Sequence, residues 1–289
     1  MAILTDIHPA RRLWQLLEPC HALIYFAPEG RSEYADAGLR GSWMGYFASR
    51  SAAMGAVGAG VVVATFHNFA PRMVERALPD AWSFSTPERV LAARATAASA
   101  ALGRLLGDEL NSPAIGAAAD LLRPAMGACD GSARPLYAAH VRLEWPEPPH
   151  LALWHAATLL REHRFDGHVA ALLVEGLDGP EALITATASG GLDAQTLRAM
   201  RGWTEEEWES AAERLRVRGL LDTTGSLTPD GRRLREAVEA RTDELATEPA
   251  HRLGDGGLAR LDGLLRPLVE RLLAGGALPF PNPNGVPQP

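Results

Sequence analysis

RGWTEEEWESAAERLRVRGLLDTTGSLTPDGRR, residues 201–233, is the stretch from which the rest of the chain can be placed. Thr204 stands where a helix N-cap belongs. Glu207, three residues on, completes a capping box in which each side chain satisfies the other's backbone N–H. Trp208, Ala211, Ala212 and Leu215 follow at helical spacing and give the helix one apolar stripe, and Gly219 stops it. Leu220, Leu221, a polar turn at 222–225 and Leu227 predict a small two-stranded hairpin. Thr228, with Pro229 at the first helical position, starts the next helix. The outward face of the first helix carries Glu206, Glu209, Ser210 and Glu213, with Glu205 also in its first turn. Such a face repels phosphates.

Leu215, Gly219, Leu220, Leu227, Thr228, Gly231 and Arg232 spell an apolar helix, GL, a short wing and L-T-x-x-G-R. In this the segment resembles the winged-helix domains of MarR-type regulators. Taken with YFAPE at 25–29, GYFASR at 45–50, WHAATLLREHR at 154–164 and RGWTEEEW at 201–208, the whole chain resembles the SalK-like helix-turn-helix proteins of actinobacteria. The resemblance implies a winged helix in the C-terminal part. Because members of that group are often encoded among natural-product genes, it also implies a setting in specialised metabolism, but it names no reaction.

At 289 residues and 47% hydrophobic content, the chain can build one large or two ordinary domains with proper cores. Its formal net charge of −7 gives no general attraction to nucleic acid or to an anionic membrane. Every basic residue apart from histidine is arginine, so Schiff-base chemistry on a lysine is excluded. Cys20 and Cys129 are too few for a disulfide framework or a structural zinc site, which fits a reducing cytoplasm. The opening MAILTDIHPARR lacks the apolar core of a signal peptide.

Strand signals are scarce, and the expected fold is mainly α: a helical N-terminal half over 1–149, a connecting helical hairpin over 150–179, and a winged-helix domain with a C-terminal helix and extended tail over 180–289. Within the hairpin, Phe165-Asp166-Gly167 reads as the turn between two helices. Residues 51–71 carry no charged side chain, but the run is rich in Ala and Gly and is interrupted at His67 and Asn68 before it reaches the roughly 20 residues a bilayer requires. It reads instead as a buried helix whose Gly55, Gly58 and Ala59 let neighbouring backbones approach, and residues 42–66 are one helix or two broken near these glycines. The tail, PFPNPNGVPQP, has no means of forming regular structure.

The strongest polar constellation is LALWHAATLLREHRFDGH. His155, Leu159 and Glu162 fall on one helical stripe, but residues seven apart on a helix are separated by roughly 10 Å along the axis, too far to share one ion. The spacing suits a groove wall facing a small organic ligand, and no metal or other cofactor is expected. Glu18, His21 and Tyr25 share a face if the first helix continues past Pro19; Tyr46 and Arg50 share another, and His67 stands where the uncharged segment ends. No P-loop, dinucleotide fingerprint or nucleophile elbow is present.

The leading expectation is an enzyme of specialised metabolism, of lyase, cyclase or isomerase type, using acid–base chemistry. His155 and Glu162 are its catalytic candidates, and His21, Tyr25, Tyr46, Arg50 and His67 bind substrate. Its partners would be a small organic molecule and a second copy in a homodimer, with neither nucleic acid nor membrane. The alternatives are a ligand-responsive transcription regulator, favoured by the winged-helix resemblance and opposed by the acidic helix, and a non-catalytic binding protein of a biosynthetic assembly.

Overall fold

The computed structural model describes residues 7–190 and 193–288. Gly191 and Leu192, inside the expected winged-helix range, and Pro289 of the tail lie outside the described residues. The described chain is helical, with a single antiparallel bridge between Leu221 and Leu227. Short helices build the first part: α1 (Pro9–Ala22), α2 (Pro28–Asp36), α3 (Gly41–Ser51), α4 (Ala59–Phe66), α5 (Pro71–Glu75) and α6 (Ala81–Phe84). Then come α7 (Pro87–Leu106), α8 (Pro113–Gly127), α9 (Pro135–His140) and the long α10 (Pro149–Val174). The remainder comprises α11 (Gly179–Ala188), α12 (Ala194–Met200), α13 (Glu205–Val217), α14 (Pro229–Leu245) and α15 (Thr247–Ala274).

Local chemistry sets many of these boundaries. Helices α1, α7, α8 and α14 open on proline behind a capping side chain, respectively His8, Thr86, Ser112 and Thr228. Proline fixes the helical φ at a position whose N–H has no intrahelical acceptor. The capping box of Thr204 and Glu207 forms at the start of α13, and a second one, Asp178 with Glu181, starts α11. The hairpin after α13 is narrower than the two strands expected, being held by the one Leu221–Leu227 bridge.

Two apolar clusters build a helical body. In one, Leu17, Leu23, Leu102, Leu122, Leu159 and Leu265 bring together α1, α7, α8, α10 and α15. In the other, Phe47, Val62, Phe66, Phe69 and Val74 pack the region around α3 to α5. A third cluster, with Leu172, Ile184, Ala211, Leu215, Leu227 and Val238, joins the end of α10 to α11, α13, the hairpin and α14. Helix α15 therefore buries its stripe in the body rather than against α13.

Two expectations are corrected. The hairpin expected over 150–179 is largely one continuous helix, because Phe165-Asp166-Gly167 continues α10 instead of turning. Gly167 serves close packing: a Cβ there would stand 3.0 Å from Arg134 Nη1 and 3.1 Å from Leu245 Cβ. In the uncharged segment the glycines break the helix rather than pack it: α4 lies at 91° to the helical stretch that ends at Met54, and Gly55 between them has a φ of +85°, which suits glycine. Gly55, Gly58 and Gly60 have open space where a Cβ would stand, so they do not mediate the backbone approach assigned to that segment. Among the described residues no single helix is long and apolar enough to cross a membrane. The tail is irregular, as expected, and it is tied down. The Asn282 carboxamide donates to Val286 O at 2.8 Å and accepts from the Asn284 and Val286 N–H groups, while Val286 buries beside Ala22 and Leu278.

Candidate functional site

The turn between α12 and α13 is docked on the body. Ala70 N–H donates to Arg201 O at 2.9 Å, and Trp203 Nε1 donates to Asn68 O at 3.0 Å. The Arg72 guanidinium forks onto both carboxylate oxygens of Glu207, each at 2.7 Å. This bidentate pair pulls the Glu207 carboxyl down to about 2, chiefly through the hydrogen bond from Arg72.

Beside that docking surface lies a cleft of about 1580 Å³. Its body wall carries Trp14, Tyr25, Trp43, Tyr46, Arg50 and Phe165. Leu183, Thr187, Leu197, Met200, Arg201 and Arg235 supply the opposite wall, and residues 282–285 of the tail lie along one side. Asn284 Nδ2 donates to Glu18 Oε1 at 2.8 Å, tying the tail to α1.

Behind the body wall, α10 presents a buried polar seam. Arg50 donates from Nε and Nη2 to the two oxygens of Glu162, at 3.1 and 2.9 Å, and its guanidinium lies between the rings of Phe66 and Phe165 at 4.3 and 4.4 Å. Burial alone would raise the Glu162 pKa, but Arg50 and Arg161 outweigh it and hold the carboxyl far below the usual range. Arg161 reaches Glu18 at 3.2 Å, Thr158 meets His21 at 3.0 Å, and Tyr25 OH meets the other His21 ring nitrogen at 2.8 Å.

Arg201 differs from these paired arginines. Its Nε is buried with no hydrogen-bond partner, it forms no salt bridge among the described residues, and its guanidinium lies 4.6 Å from the centre of the Phe69 ring. Burial lowers its pKa, and the nearby Arg50 and Arg161 add to that shift. The cleft thus holds a cation without a carboxylate, flanked by aromatic rings. Such a constellation accepts the anionic end of a flat ligand.

The expected site residues separate into three groups. Tyr25, Tyr46 and Arg50 line the cleft. Glu162 and His21 stand behind them as partners of Arg50 and Tyr25. His155 and His67 stay outside it: His155 packs edge-on against Trp145 at 4.8 Å, and His67 Nε2 meets Leu177 O at 3.2 Å. Burial, with His140, Arg94 and Arg123 nearby, pushes His155 down to about 3, so it stays neutral and weakly basic. Sequence reading missed Trp14, Trp43 and Arg201. Arg201 heads the decisive 201–233 stretch, but nothing in its spacing signals that it turns away from α13 toward the body.

The chain matches the model of a helix-turn-helix family over residues 10–279, and it belongs to that family. No curated protein and no solved structure matches it. Family membership overturns the leading expectation of an acid–base enzyme, since it points to regulator-type function, the alternative weighed beside it. The geometry agrees in one respect: the two groups assigned to proton transfer are a neutral histidine outside the cleft and a carboxylate locked in an ion pair.

Proposed function

We propose that the protein is a ligand-responsive transcription regulator whose effector occupies the cleft between the helical body and the unit formed by α11 to α14. The observation that carries this reading is the shared wall. A molecule touching both Tyr46 and Arg201 contacts two packed bodies at once, and it shifts their relation by as much as it favours one arrangement over another. An effector with an anionic group for Arg201 and an aromatic or conjugated body for Trp43, Tyr46 and Phe69 suits the lining. The L-T-x-x-G-R pattern and the short hairpin support a MarR-like relation, and the SalK-like resemblance supports an effector drawn from natural products.

In the arrangement described, the N-terminal end of α13, the part that such a helix offers to base edges, is clamped by Arg72. Its exposed face carries Glu205, Glu206, Glu209 and Glu213. This is the state without DNA affinity, and effector binding releases the clamp. Gel shifts at low salt, with duplexes from the regions flanking its own gene, test the reading with and without metabolite extract from the producing cell. Sequence-specific binding that depends on the extract is expected, and Arg72→Ala should bind without it. Absence of specific binding for the parent with extract and for Arg72→Ala would overturn the regulator.

A further inference from the structure

Away from the cleft, three side chains distant in sequence meet near the corner where α14 passes into α15. Cys129, just beyond α8, His163 on α10 and Glu248 in the first turn of α15 bring a thiol, an imidazole nitrogen and a carboxylate oxygen within 4.8 Å of one another. His163 is 1% exposed, and neither of its ring nitrogens has a hydrogen-bond partner among the described residues. Buried imidazoles are seldom left so, because each nitrogen is a donor or an acceptor that burial strips of water. The ring is nonetheless oriented, edge-on to Tyr137 at 5.1 Å. Glu248 is oriented too: its Oε2 accepts the Asp130 N–H at 2.9 Å, and its Oε1 accepts from Arg252 at 2.6 Å.

We propose that Cys129, His163 and Glu248 form a binding site for one divalent transition-metal ion, best matched by zinc, with water in the fourth position. Sulfur, imidazole and carboxylate are the three ligand types zinc takes, and three protein ligands leave a tetrahedral site open on one side. The thiol now donates to Ala125 O at 3.1 Å; on binding it gives its proton to solvent and turns its sulfur to the ion. Thiolate and carboxylate together then carry two negative charges, equal to the charge of the ion. Cys129 and Glu248 are only part-buried, so the ion has a path from solvent, while the buried histidine closes the inner side.

The site has a structural consequence. Arg134 donates to His163 O at 2.5 Å and to Leu245 O at 2.6 Å, so one arginine already spans α10 and the end of α14. An ion held by Cys129, His163 and Glu248 adds a second brace and fixes the exit of the α11 to α14 unit to the body.

Tag-free protein stripped with chelator and titrated with cobalt(II) tests the site. Expected are one equivalent bound, the visible bands of tetrahedral cobalt, a sulfur-to-cobalt charge-transfer band, and displacement of the cobalt by zinc. Cys129→Ser should abolish the charge-transfer band. Glu248→Gln, at a part-exposed position that tolerates change, should weaken binding by at least the roughly 10–100-fold that loss of even an outer partner of a metal ligand costs. Circular dichroism confirms that both variants fold. No stoichiometric binding at micromolar cobalt, or a charge-transfer band that survives Cys129→Ser, would overturn the site.

Discussion

Arg50 and Glu162 show how a buried charge pair constrains substitution. Their side chains are 3% and 0% exposed, and each is the other's principal compensation. Glu162→Ala leaves the Arg50 guanidinium buried without its counter-charge and is expected to cost about 3–5 kcal/mol in urea unfolding. A loss under about 1 kcal/mol would mean that water from the cleft already solvates Arg50. Asp166 poses a different problem. Its carboxylate accepts the Tyr137 N–H at 2.9 Å, and burial pushes its pKa from 3.8 up to about 7. A folded pKa above the unfolded one means that the contribution of Asp166 is fully present below about pH 4 and is lost as pH rises through 7. Asp166→Asn keeps an acceptor for Tyr137 and removes that loss. Urea unfolding at pH 5 and pH 8 should show the variant gaining on the parent at the higher pH by a few kcal/mol, and an equal difference at both would contradict the assignment. Single residues were the hardest scale to read from sequence. The one-face spacing of Glu18, His21 and Tyr25 was visible, and the His21–Tyr25 contact follows it. That His155 faces Trp145 and not the cleft was not visible, because Trp145 arrives from a different segment. Nor was the meeting of Cys129, His163 and Glu248, whose separations in sequence follow no ligand spacing.

At the scale of elements, capping chemistry was legible and tertiary overrides were not. Thr204 with Glu207 and Thr228 with Pro229 mark helix starts through local side-chain-to-backbone hydrogen bonds, and Pro87 through its fixed φ, none of which neighbouring segments alter. Phe165-Asp166-Gly167 has turn composition, yet α10 runs through it, and Arg134 and Leu245 fill the space beside Gly167. The two readings of Gly167 differ in sign under one substitution. At a solvent-facing mid-helix position Gly167→Ala would add about 1 kcal/mol through helix propensity, whereas here the new methyl group must push on its neighbours and is expected to cost about 1–3 kcal/mol. Thermal or chemical unfolding of this variant decides between them. The clamp on α13 behaves differently. Arg72 and Glu207 are each over a third exposed, so Arg72→Ala should change global stability by less than about 1 kcal/mol. Hydrogen exchange over 201–208 should nevertheless quicken, and unchanged exchange there would show that Trp203 and Ala70 hold the turn unaided.

For the molecule as a whole, the number of neutral histidines in the interior sets the acid limit. Burial pushes His168 to about 3 and His140 to about 4, alongside His155 at about 3, against 6.5 for a free side chain. A depressed folded pKa gives stability that is present above pH 6.5 and is lost as pH falls toward 3, because the unfolded chain takes up the proton first. Unfolding midpoints should therefore fall steadily below pH 6, and His155→Gln should flatten that slope while leaving the midpoint at pH 8 much less affected. An identical slope in the variant would contradict the assignment. The feature that gives this molecule its mechanical character is α10. Its 26 residues make a rod of roughly 39 Å at 1.5 Å per residue. One end is embedded among α1, α8 and α15, and the other carries Leu172 into the cluster beneath α11 and α13. A rod without a joint acts as a lever: a tilt of only 5° at the body would carry its far end about 3 Å. A ligand pressing on Phe165, a little past the middle of the rod, need therefore move it by only a fraction of that distance for the far end to travel further.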